Sequence, residues 1–594
     1  MTRKLSGFYK RLLTIDLTTR SFGIDPLPEE MLKQYLGGKG LATRLLLDLN
    51  PANANPLGPD NHFIIATGPF CGGRLWGGSR YGVFTKSPAT GFYTESYSGG
   101  KTPEAIDAAG FDAIVIHGAA DSPTALTITP DTVIFHDAAA LWGMDTVETE
   151  VQALARFTLA DPAYPKAGAI SIGPAGERLV RCAIIANDNG RCAGRTGVGA
   201  VLGAKKLKTI VFQGDRKRQL ADAAGAATYS KEFLKKYRIH PAATGYRKLG
   251  TSGTTGLVDA MGAFPTKYWR DGRTENRDKL VGEAIHRELD ITPRACAKCF
   301  LACGRATTVR EGRHKGLKLD GPEYETIFGF GGLCMINDVA EICHLNDVCD
   351  RYGIDTISAA NLCALAMELV EQGRADFDIE YANAEKTAIF LKRIASRVQE
   401  GDLFADGIIK VAQTLNADDV AVHVKGLEPP GYDPRKLKGM GLAYATSPRG
   451  ACHLRATFYK PELSGIIEPD SIEGKAALFI EYEDRLNIFD TLILCRFYRD
   501  LYSWEELTEA VSLATGIEYD QAGLQDVARR VADMTREFNV REGLTANDDV
   551  LPRLIHEKKL PDGCGITTEE LGQMLQDYYR LRGWDNKGVP KFCP

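Results

Sequence analysis

Apolar and polar positions alternate in short runs through the first third of the chain. Leu12-Leu-Thr-Ile-Asp-Leu17, His62-Phe-Ile-Ile-Ala66, Tyr81-Gly-Val-Phe-Thr85, Ala113-Ile-Val-Ile-His117 and Leu207-Lys-Thr-Ile-Val-Phe212 have the length and β-branched content of strands, and glycine turns separate them. From Gln213 to about Leu289 the texture becomes charged and helix-forming. Beyond it a 3.6-residue spacing prevails, clearest at Asp338 to Val348, Thr356 to Glu371 and Leu524 to Phe538. The pattern predicts an α+β protein: a β-rich base domain over residues 1–210, a mainly helical domain over 211–417 and a second over 418–594. A Pro/Gly-rich stretch, Gly426-Leu-Glu-Pro-Pro-Gly431, reads as a joint near the second boundary. No internal repeat or low-complexity tract interrupts the pattern.

Composition narrows the class. A chain of 594 residues with 44% hydrophobic and 25% charged content is ordinary for a globular protein. A net charge of −5 gives no reason to expect nucleic acid or an anionic membrane as partner. Apolar runs such as Phe63-Ile-Ile-Ala-Thr67 are far too short to span a bilayer, and Met1-Thr-Arg-Lys-Leu-Ser-Gly7 has no apolar signal region. A cytoplasmic protein is therefore expected, with its 14 cysteines largely reduced. Cys71, Cys182, Cys334, Cys343, Cys349, Cys363, Cys564 and Cys593 show no ligand spacing and read as small buried hydrophobes.

Three other cysteines carry chemistry. Cys296, Cys299 and Cys303 sit in Arg294-Ala-Cys-Ala-Lys-Cys-Phe-Leu-Ala-Cys-Gly304, close enough to share a soft metal or an iron–sulfur cluster. Structural zinc usually takes two close Cys/His pairs, and no second pair follows, so the spacing favours a cluster with Cys495 as a remote fourth candidate. The order C-x2-C-x3-C is the reverse of the radical SAM motif. Four glycine-rich loops precede it: Gly37-Gly-Lys-Gly40, Gly77-Gly-Ser-Arg80, Ser96-Tyr-Ser-Gly-Gly100 and Ala193-Gly-Arg-Thr-Gly-Val-Gly199. Their backbone N–H groups suit phosphates, with Arg80 and Arg195 as bidentate partners. Gly197-Val-Gly-Ala-Val-Leu-Gly203 mimics a dinucleotide fingerprint but lacks the strand leading into it, and no P-loop is present.

Set together, these stretches resemble the tungsten-dependent aldehyde:ferredoxin oxidoreductase family along nearly the whole chain. The resemblance rests on Tyr35-Leu-Gly-Gly-Lys-Gly-Leu-Ala42, Ala66-Thr-Gly-Pro69, Ser79-Arg-Tyr-Gly-Val-Phe-Thr-Lys-Ser-Pro88, the 193–203 loop and the Cys296 cluster. It continues through Gly321-Pro-Glu-Tyr-Glu-Thr326, Asp350-Arg-Tyr-Gly-Ile-Asp355, the 439–455 segment ending Gly450-Ala-Cys-His-Leu-Arg455, and the 578–590 tail. It implies tungsten or molybdenum between two pyranopterins, magnesium bridging their phosphates, and one [4Fe-4S] cluster on Cys296, Cys299, Cys303 and Cys495. The β-rich domain becomes the cofactor-binding base. Lys39, Gly40, Arg80, Tyr97, Ser98, Gly99, Ala193, Gly194 and Arg195 fall to the pterins and their phosphates. So do Asp350, Ile354 and Asp355, then Arg455, Asp490 and Leu494. Two departures stand out. Ile493 replaces a customary glycine in Asp490-Thr-Leu-Ile-Leu-Cys495, so that turn is expected to differ locally. Tyr97 replaces an asparagine in the phosphate–magnesium loop, which leaves the magnesium dependent on a backbone carbonyl.

The same resemblance singles out Glu325 as a carboxylate beside the metal, able to serve as general base when desolvated. Glu323, two residues earlier, is the weaker candidate. His453 is placed in the substrate pocket, to polarise a carbonyl or relay a proton. Glu341-Ile-Cys-His344 has the E-x-x-H spacing with which some relatives hold an iron at a dimer axis, though an ordinary helix face explains it as well. The implied reaction oxidises an aldehyde to a carboxylic acid and delivers electrons to ferredoxin or a polyferredoxin-type subunit. The implied assembly is a homodimer or hetero-oligomer. Two alternatives stand beside it: a benzoyl-CoA reductase-type catalytic subunit, and a non-catalytic Fe–S electron-transfer subunit.

Overall fold

The computed structural model describes residues 4–73 and 75–591. Among the described residues the five strand-like runs, as β1, β3, β4, β6 and β12, join seven further strands in two six-stranded mixed sheets. In the first, β1 (Arg11–Asp16), β2 (Ser21–Pro26), β3 (Phe63–Ala66), β4 (Arg80–Lys86), β5 (Tyr93–Gly99) and β6 (Ala113–His117) lie in the order β2-β1-β6-β3-β4-β5. Only β1 and β6 run parallel. The second comprises β7 (Thr124–Ile128), β8 (Val133–Asp137), β9 (Lys166–Ser171), β10 (Ile185–Asn187), β11 (Arg191–Ala193) and β12 (Leu207–Gly214), in the order β11-β10-β9-β12-β7-β8. Here β12 and β7 form the parallel pair.

The period of two decides how they pack. Leu13, Ile15, Phe63, Ile65, Ile114 and Ile116 meet Leu126, Ile128, Ile170, Ile210 and Phe212 of the second sheet. The alternate residues Ile64, Ala66, Phe84, Ala113 and Val115 meet Leu41, Ala42, Leu45 and Leu46 of the helix Gly38–Leu49. Both faces of the first sheet are covered, so β3 is apolar at every position. A one-residue slip would exchange the two cores, which pins the register.

The rest is helix-rich, as the spacing predicts. Asp338, Asp355 and Asp520 accept backbone N–H groups at the starts of Val339–Tyr352, Thr356–Glu371 and Gln521–Arg541. The helix Thr356–Glu371 is buried on nearly every side, which explains its almost unbroken apolar sequence. A small antiparallel sheet is an addition to the expected helical texture: β13 (Leu289–Arg294), β14 (Gly304–Val309) and β15 (Lys318–Asp320). Arg294 pairs with Gly304, so Cys296, Cys299 and Cys303 occupy the loop that this hairpin closes.

Of the cysteines expected in the core, Cys71, Cys182, Cys334, Cys343, Cys349 and Cys363 are buried. Cys564 is only half-buried, 3.2 Å from Lys436 Nζ, and Cys593 lies outside the described residues. Among the described residues no helix is long and apolar enough to cross a membrane.

Candidate active site

Where the β-rich base meets the helices, a cavity of about 330 Å³ gathers most of the residues singled out in sequence. Its floor is Arg80 of β4 with Tyr97, Ser98 and Gly99 of β5; the turn into and out of β11 adds Arg191, Gly194 and Arg195. The hairpin loop contributes Cys296, Cys299 and Cys303. Glu325, His453, Arg455 and Cys495 come from the helical part. Residues nearly two hundred positions apart thus share one wall, because the hairpin loop and the Cys495 segment both close onto the first sheet. Gly100 N–H donates to Cys296 Sγ at 3.2 Å, Arg80 Nη1 lies 3.6 Å from Cys495 Sγ, and Cys299 Sγ is 3.4 Å from Tyr498 Oη. Gly99 lets the thiol pack close: a Cβ on it would stand 3.0 Å from Cys296 Sγ and push it back by a few tenths of an ångström.

Two helix ends with the same geometry lead into segments beside the cavity. The helix Val339–Tyr352 ends at Gly353, left-handed at φ 77°, and Ile354 N–H returns to the Cys349 carbonyl at 2.9 Å. The helix Lys475–Thr491 is followed by Ile493, left-handed at φ 55°, and Leu494 N–H returns to the Phe489 carbonyl at 2.7 Å. Both are the six-to-one closure of a Schellman turn. The expectation that Ile493 changes its turn is therefore corrected: the turn is kept, and a β-branched residue bears a conformation that suits glycine. Its side chain is buried against the helix Gly38–Leu49, where Gly38 leaves room; a Cβ there would come within 2.9 Å of Ile493 Cδ1.

Beyond these turns, Asp355 N–H donates to the Cys182 carbonyl at 3.0 Å and Cys495 N–H to the Gly77 carbonyl at 2.9 Å, so each segment is stitched to the base. Asp355 also caps its helix and takes Arg195 Nε at 3.3 Å. Ile354 and Leu494 are buried behind the wall, and Ala193 lies in the core between the sheets. Asp350 is likewise set back, accepting Asn346 Nδ2 at 2.7 Å, and burial pushes its carboxyl up. Lys39 and Gly40 do not line the cavity. Gly40 packs on the Tyr35 carbonyl, and Lys39 Nζ reaches Glu95 at 2.9 Å and Asn487 at 2.8 Å.

Lys39 belongs to a buried ion cluster with Glu95, Arg455, Asp490 and Arg496. Arg455 bonds both carboxylates, Arg496 bonds Asp490, and Tyr97 Oη donates to Glu95 at 2.5 Å. Three cations face two anions, an imbalance that is expensive away from water. Arg455 Nε and Nη2, Arg496 Nε and Nη1, and Arg191 Nη2 are buried with no protein partner. Six arginines in all (Arg80, Arg191, Arg195, Arg449, Arg455 and Arg496) line the cavity, against Asp320, Glu323 and Glu325. A polyanionic group fits this donor set: phosphate oxygens would satisfy the orphaned guanidinium N–H groups and balance their charge. The thiols suit a multi-iron cluster, whose ligands need not converge on one point, rather than a single ion. Burial pushes Cys296, Cys299 and Cys303 up, a cost that ligation removes by taking the proton.

Glu325 and His453 form the reactive corner. Glu325 sits on the short helix Tyr324–Thr326, directly before a π-helical run, Ile327–Leu333. Its Oε2 accepts Gly431 N–H at 2.9 Å, and its Oε1, with no hydrogen-bond partner, faces His453 Nε2 at 3.5 Å. Burial pushes the Glu325 carboxyl up to about 8 and outweighs the Gly431 hydrogen bond. Burial first, then Arg195 and Arg449, hold His453 well below the usual imidazole range, so it is neutral. His453 Nδ1 has no protein partner. Glu323 also lines the cavity, but its carboxylate accepts from Thr251 Oγ1.

Several contributors escape sequence reasoning. The Gly426–Gly431 stretch, read as a joint, supplies Gly431 N–H to Glu325 and the Glu428 carbonyl to Arg195 Nη2 at 2.5 Å. A Cβ on Gly431 would stand 2.5 Å from the Phe328 ring. Cys452 accepts from Arg449 Nη2 at 3.0 Å and from Leu454 N–H at 3.3 Å, which braces the turn carrying His453. Glu95 and Arg496 have no motif of their own. Elsewhere, Glu341 takes Arg313 through two 2.7 Å contacts and His314 at 3.0 Å, while the His344 ring stacks on His314 at 4.2 Å. Among the described residues no three His, Cys, Asp or Glu side chains converge on a single-ion position.

This combination, a two-sheet base under a helical cap with thiols, arginines and a Glu–His pair on one cavity, can now be set beside known proteins. The family model "Aldehyde ferredoxin oxidoreductase, N-terminal domain" matches residues 12–214, and "Aldehyde ferredoxin oxidoreductase, domains 2 & 3" matches 228–592. The tungsten-containing aldehyde ferredoxin oxidoreductases of Thermococcus kodakarensis and Pyrococcus furiosus are each 35% identical, over 98% of both chains. An aliphatic sulfonate oxidoreductase WOR-like subunit of Pyrococcus furiosus is 27% identical over 98% of this chain and 95% of its own. Among solved structures, the active-site complex BamBC of benzoyl coenzyme A reductase, with 1,5-dienoyl-CoA, superposes with a TM-score of 0.85 at 23% identity. That likeness covers 99% of this chain and 96% of the other and shows the fold. The chain belongs to the aldehyde ferredoxin oxidoreductase family and is an oxidoreductase of that family.

Proposed function

We propose that this enzyme oxidises aldehydes to carboxylic acids at a tungsten held between two pyranopterins, and passes the electrons through one [4Fe-4S] cluster to ferredoxin or an Fe–S partner subunit. One observation carries the reading: the Cys296, Cys299, Cys303 and Cys495 thiols, the arginine-rich wall and the Glu325–His453 pair all open onto the same cavity. The arginines with unpartnered donors, Arg191, Arg455 and Arg496, would hold the pterin phosphates; the Tyr97 phenol is turned to Glu95 and its carbonyl accepts Arg80 Nη2 at 3.2 Å, so Tyr97 offers no free ligand to magnesium. When bound, the tungsten–pterin group supplies the two-electron acceptor, and the cluster removes electrons one at a time.

The residues of the chain manage protons and orientation. The balance is RCHO + H2O → RCOOH + 2 H⁺ + 2 e⁻. Ionised Glu325 accepts a proton from the water that adds to the carbonyl carbon; its raised pKa makes it a stronger base than a solvated carboxylate. His453, 3.5 Å away, is too weak a base to keep that proton, so it relays it only by releasing a proton from Nδ1, which has no protein partner, as Nε2 takes one up. The Gly431 N–H fixes the carboxylate, so the reacting oxygen is Oε1.

Glu325→Gln is expected to lower aldehyde turnover by at least about a hundredfold while tungsten and iron content stay at the wild-type level. Turnover close to wild type would remove Glu325 from the mechanism. Because the ionised form is active, the wild-type rate should climb as pH rises toward about 8, and the variant's residual rate should lack that limb.

A further inference from the structure

Two helices close over one flank of the cysteine loop. The helix Ala223–Tyr237 turns Ala226, Tyr229 and Phe233 inward, the spacing of a single helical face, and they join the same apolar cluster as Cys299, Phe300 and Cys495. The Phe233 ring lies 6.4 Å from that of Phe300, the residue after Cys299. Trp76 ties the two together: its ring meets Phe300 edge-on at 5.2 Å, and its Nε1–H donates to the Ser230 carbonyl at 2.8 Å. The next helix, Pro241–Leu249, is fastened to the loop at both ends of the motif. Arg247 Nη2 donates to the Phe300 carbonyl at 2.9 Å, and Arg305, two residues past Cys303, donates to the Tyr246, Arg247 and Lys248 carbonyls at 3.0, 3.1 and 3.2 Å.

The outer side of this pair is basic. Lys231, Lys235 and Arg238 recur at helical spacing on the face opposite Phe233, and all three are exposed. With Lys236, Arg247 and Lys248, residues 223–249 carry six cations against one anion, Glu232, in a chain whose net charge is −5. Among the described residues only Lys236 of the six has an ion-pair partner, Glu506 at 2.8 Å. At the bend between the helices Ile239 is 75% exposed, more than any other large apolar side chain described. An apolar centre ringed by unpaired charge of one sign is the anatomy of a protein interface.

We propose that this face, with Ile239 at its centre, docks the electron acceptor, and that the acceptor is a small acidic iron–sulfur carrier of the ferredoxin class. This rests on the cluster and acceptor of the reading above and names the surface they use. The balance is RCHO + H2O + 2 carrier(oxidised) → RCOOH + 2 H⁺ + 2 carrier(reduced), so a one-electron carrier must arrive and leave twice in each turnover. Charge complementarity suits that traffic, because it speeds encounter and sets orientation without a large apolar contact that would slow release. It also decides the place: an acidic carrier is repelled by the net charge of the chain and drawn to the basic patch beside the cysteines.

Calorimetric titration of the holoenzyme with an oxidised, acidic [4Fe-4S] ferredoxin needs no turnover. Binding at about 50 mM salt should weaken at least about tenfold in Lys231→Glu/Lys235→Glu/Arg238→Glu, three exposed changes, and at least about threefold in Ile239→Asp. With aldehyde as donor, the triple variant should show a KM for ferredoxin raised at least about tenfold and an unchanged rate of viologen reduction, which also shows that it folds and holds its metals. Wild-type affinity in both variants, or no binding to the wild-type protein, overturns the proposal. So does a greater loss in Lys101→Glu than in the triple variant, which would move the carrier to the other flank of the loop, where the Gly100 carbonyl accepts Ala297 N–H at 3.0 Å. A wild-type enzyme that binds ferredoxin through this face but reduces no viologen with any aldehyde would instead refute the aldehyde reading and leave the docking face standing.

Discussion

Ile493 shows how much local conformation a single residue can be made to bear. A left-handed β-branched residue costs on the order of 1–2 kcal/mol, yet here the side chain fills the core beside Gly38. Emptying a buried isoleucine site costs roughly 2–5 kcal/mol. Ile493→Gly should therefore lower stability by about 1–3 kcal/mol despite its better backbone fit, seen as an earlier thermal inactivation; a gain in stability would show that the strained turn dominates. The sequence marks Ile493 as a departure but cannot weigh the two terms, because the burial that decides them comes from a helix more than four hundred residues earlier. Glu325 carries a second residue-scale consequence. Its carboxyl is raised in the folded state, so ionising it opposes folding: the fold loses stability as pH climbs from the ordinary carboxyl range through about 8. Glu325→Gln should flatten that decline in a thermal-denaturation series, and an identical slope in both proteins would contradict the burial argument.

Among the elements, the legible ones are those with a strong period or a short motif. Five of the twelve strands of the base (β1, β3, β4, β6 and β12) follow from their apolar, β-branched runs, and the capped helices Val339–Tyr352, Thr356–Glu371 and Gln521–Arg541 from Asp at the N-cap, whereas Ser96–Gly100, read as a glycine loop, lies mostly in β5. The hairpin that presents the cysteines was not legible, because β13 is polar and largely solvent-facing and β14, though mostly buried, is built of Gly, Arg, Ala and Thr before its one Val, with no clean alternation. Gly426–Gly431 was legible only as a Pro/Gly joint, since its contribution to the site is made by backbone atoms, which no side-chain pattern reveals. That contribution can be tested. In Gly431→Ala the new Cβ meets the Phe328 ring and moves the N–H away from Glu325. Losing a hydrogen bond to the ionised form raises the carboxyl further, so the rising limb of the pH–rate profile should shift to higher pH and the rate at neutral pH should fall about tenfold or more. An unshifted limb would assign the bond a purely structural role.

At the scale of the molecule, the site exists only because three distant stretches close on one sheet. Composition and charge said nothing of this; the ordered motifs pointed to it only through their resemblance to the aldehyde ferredoxin oxidoreductase family. What the motifs left out is the counter-charge. Glu95 and Arg496 have no signature, yet they set the balance around Arg455 and Asp490. Cys495 as the remote ligand is part of the proposed function and has its own test: Cys495→Ser should deplete iron and stop delivery of electrons to ferredoxin, and full iron with normal delivery would remove Cys495 from the set. The most direct test of the whole reading is aldehyde-dependent viologen reduction by the anaerobically purified, tungsten-loaded protein, followed against pH. Turnover that rises toward about pH 8 and vanishes in Glu325→Gln with metals unchanged is the expected result; loaded wild-type protein that reduces no dye with any aldehyde would contradict it.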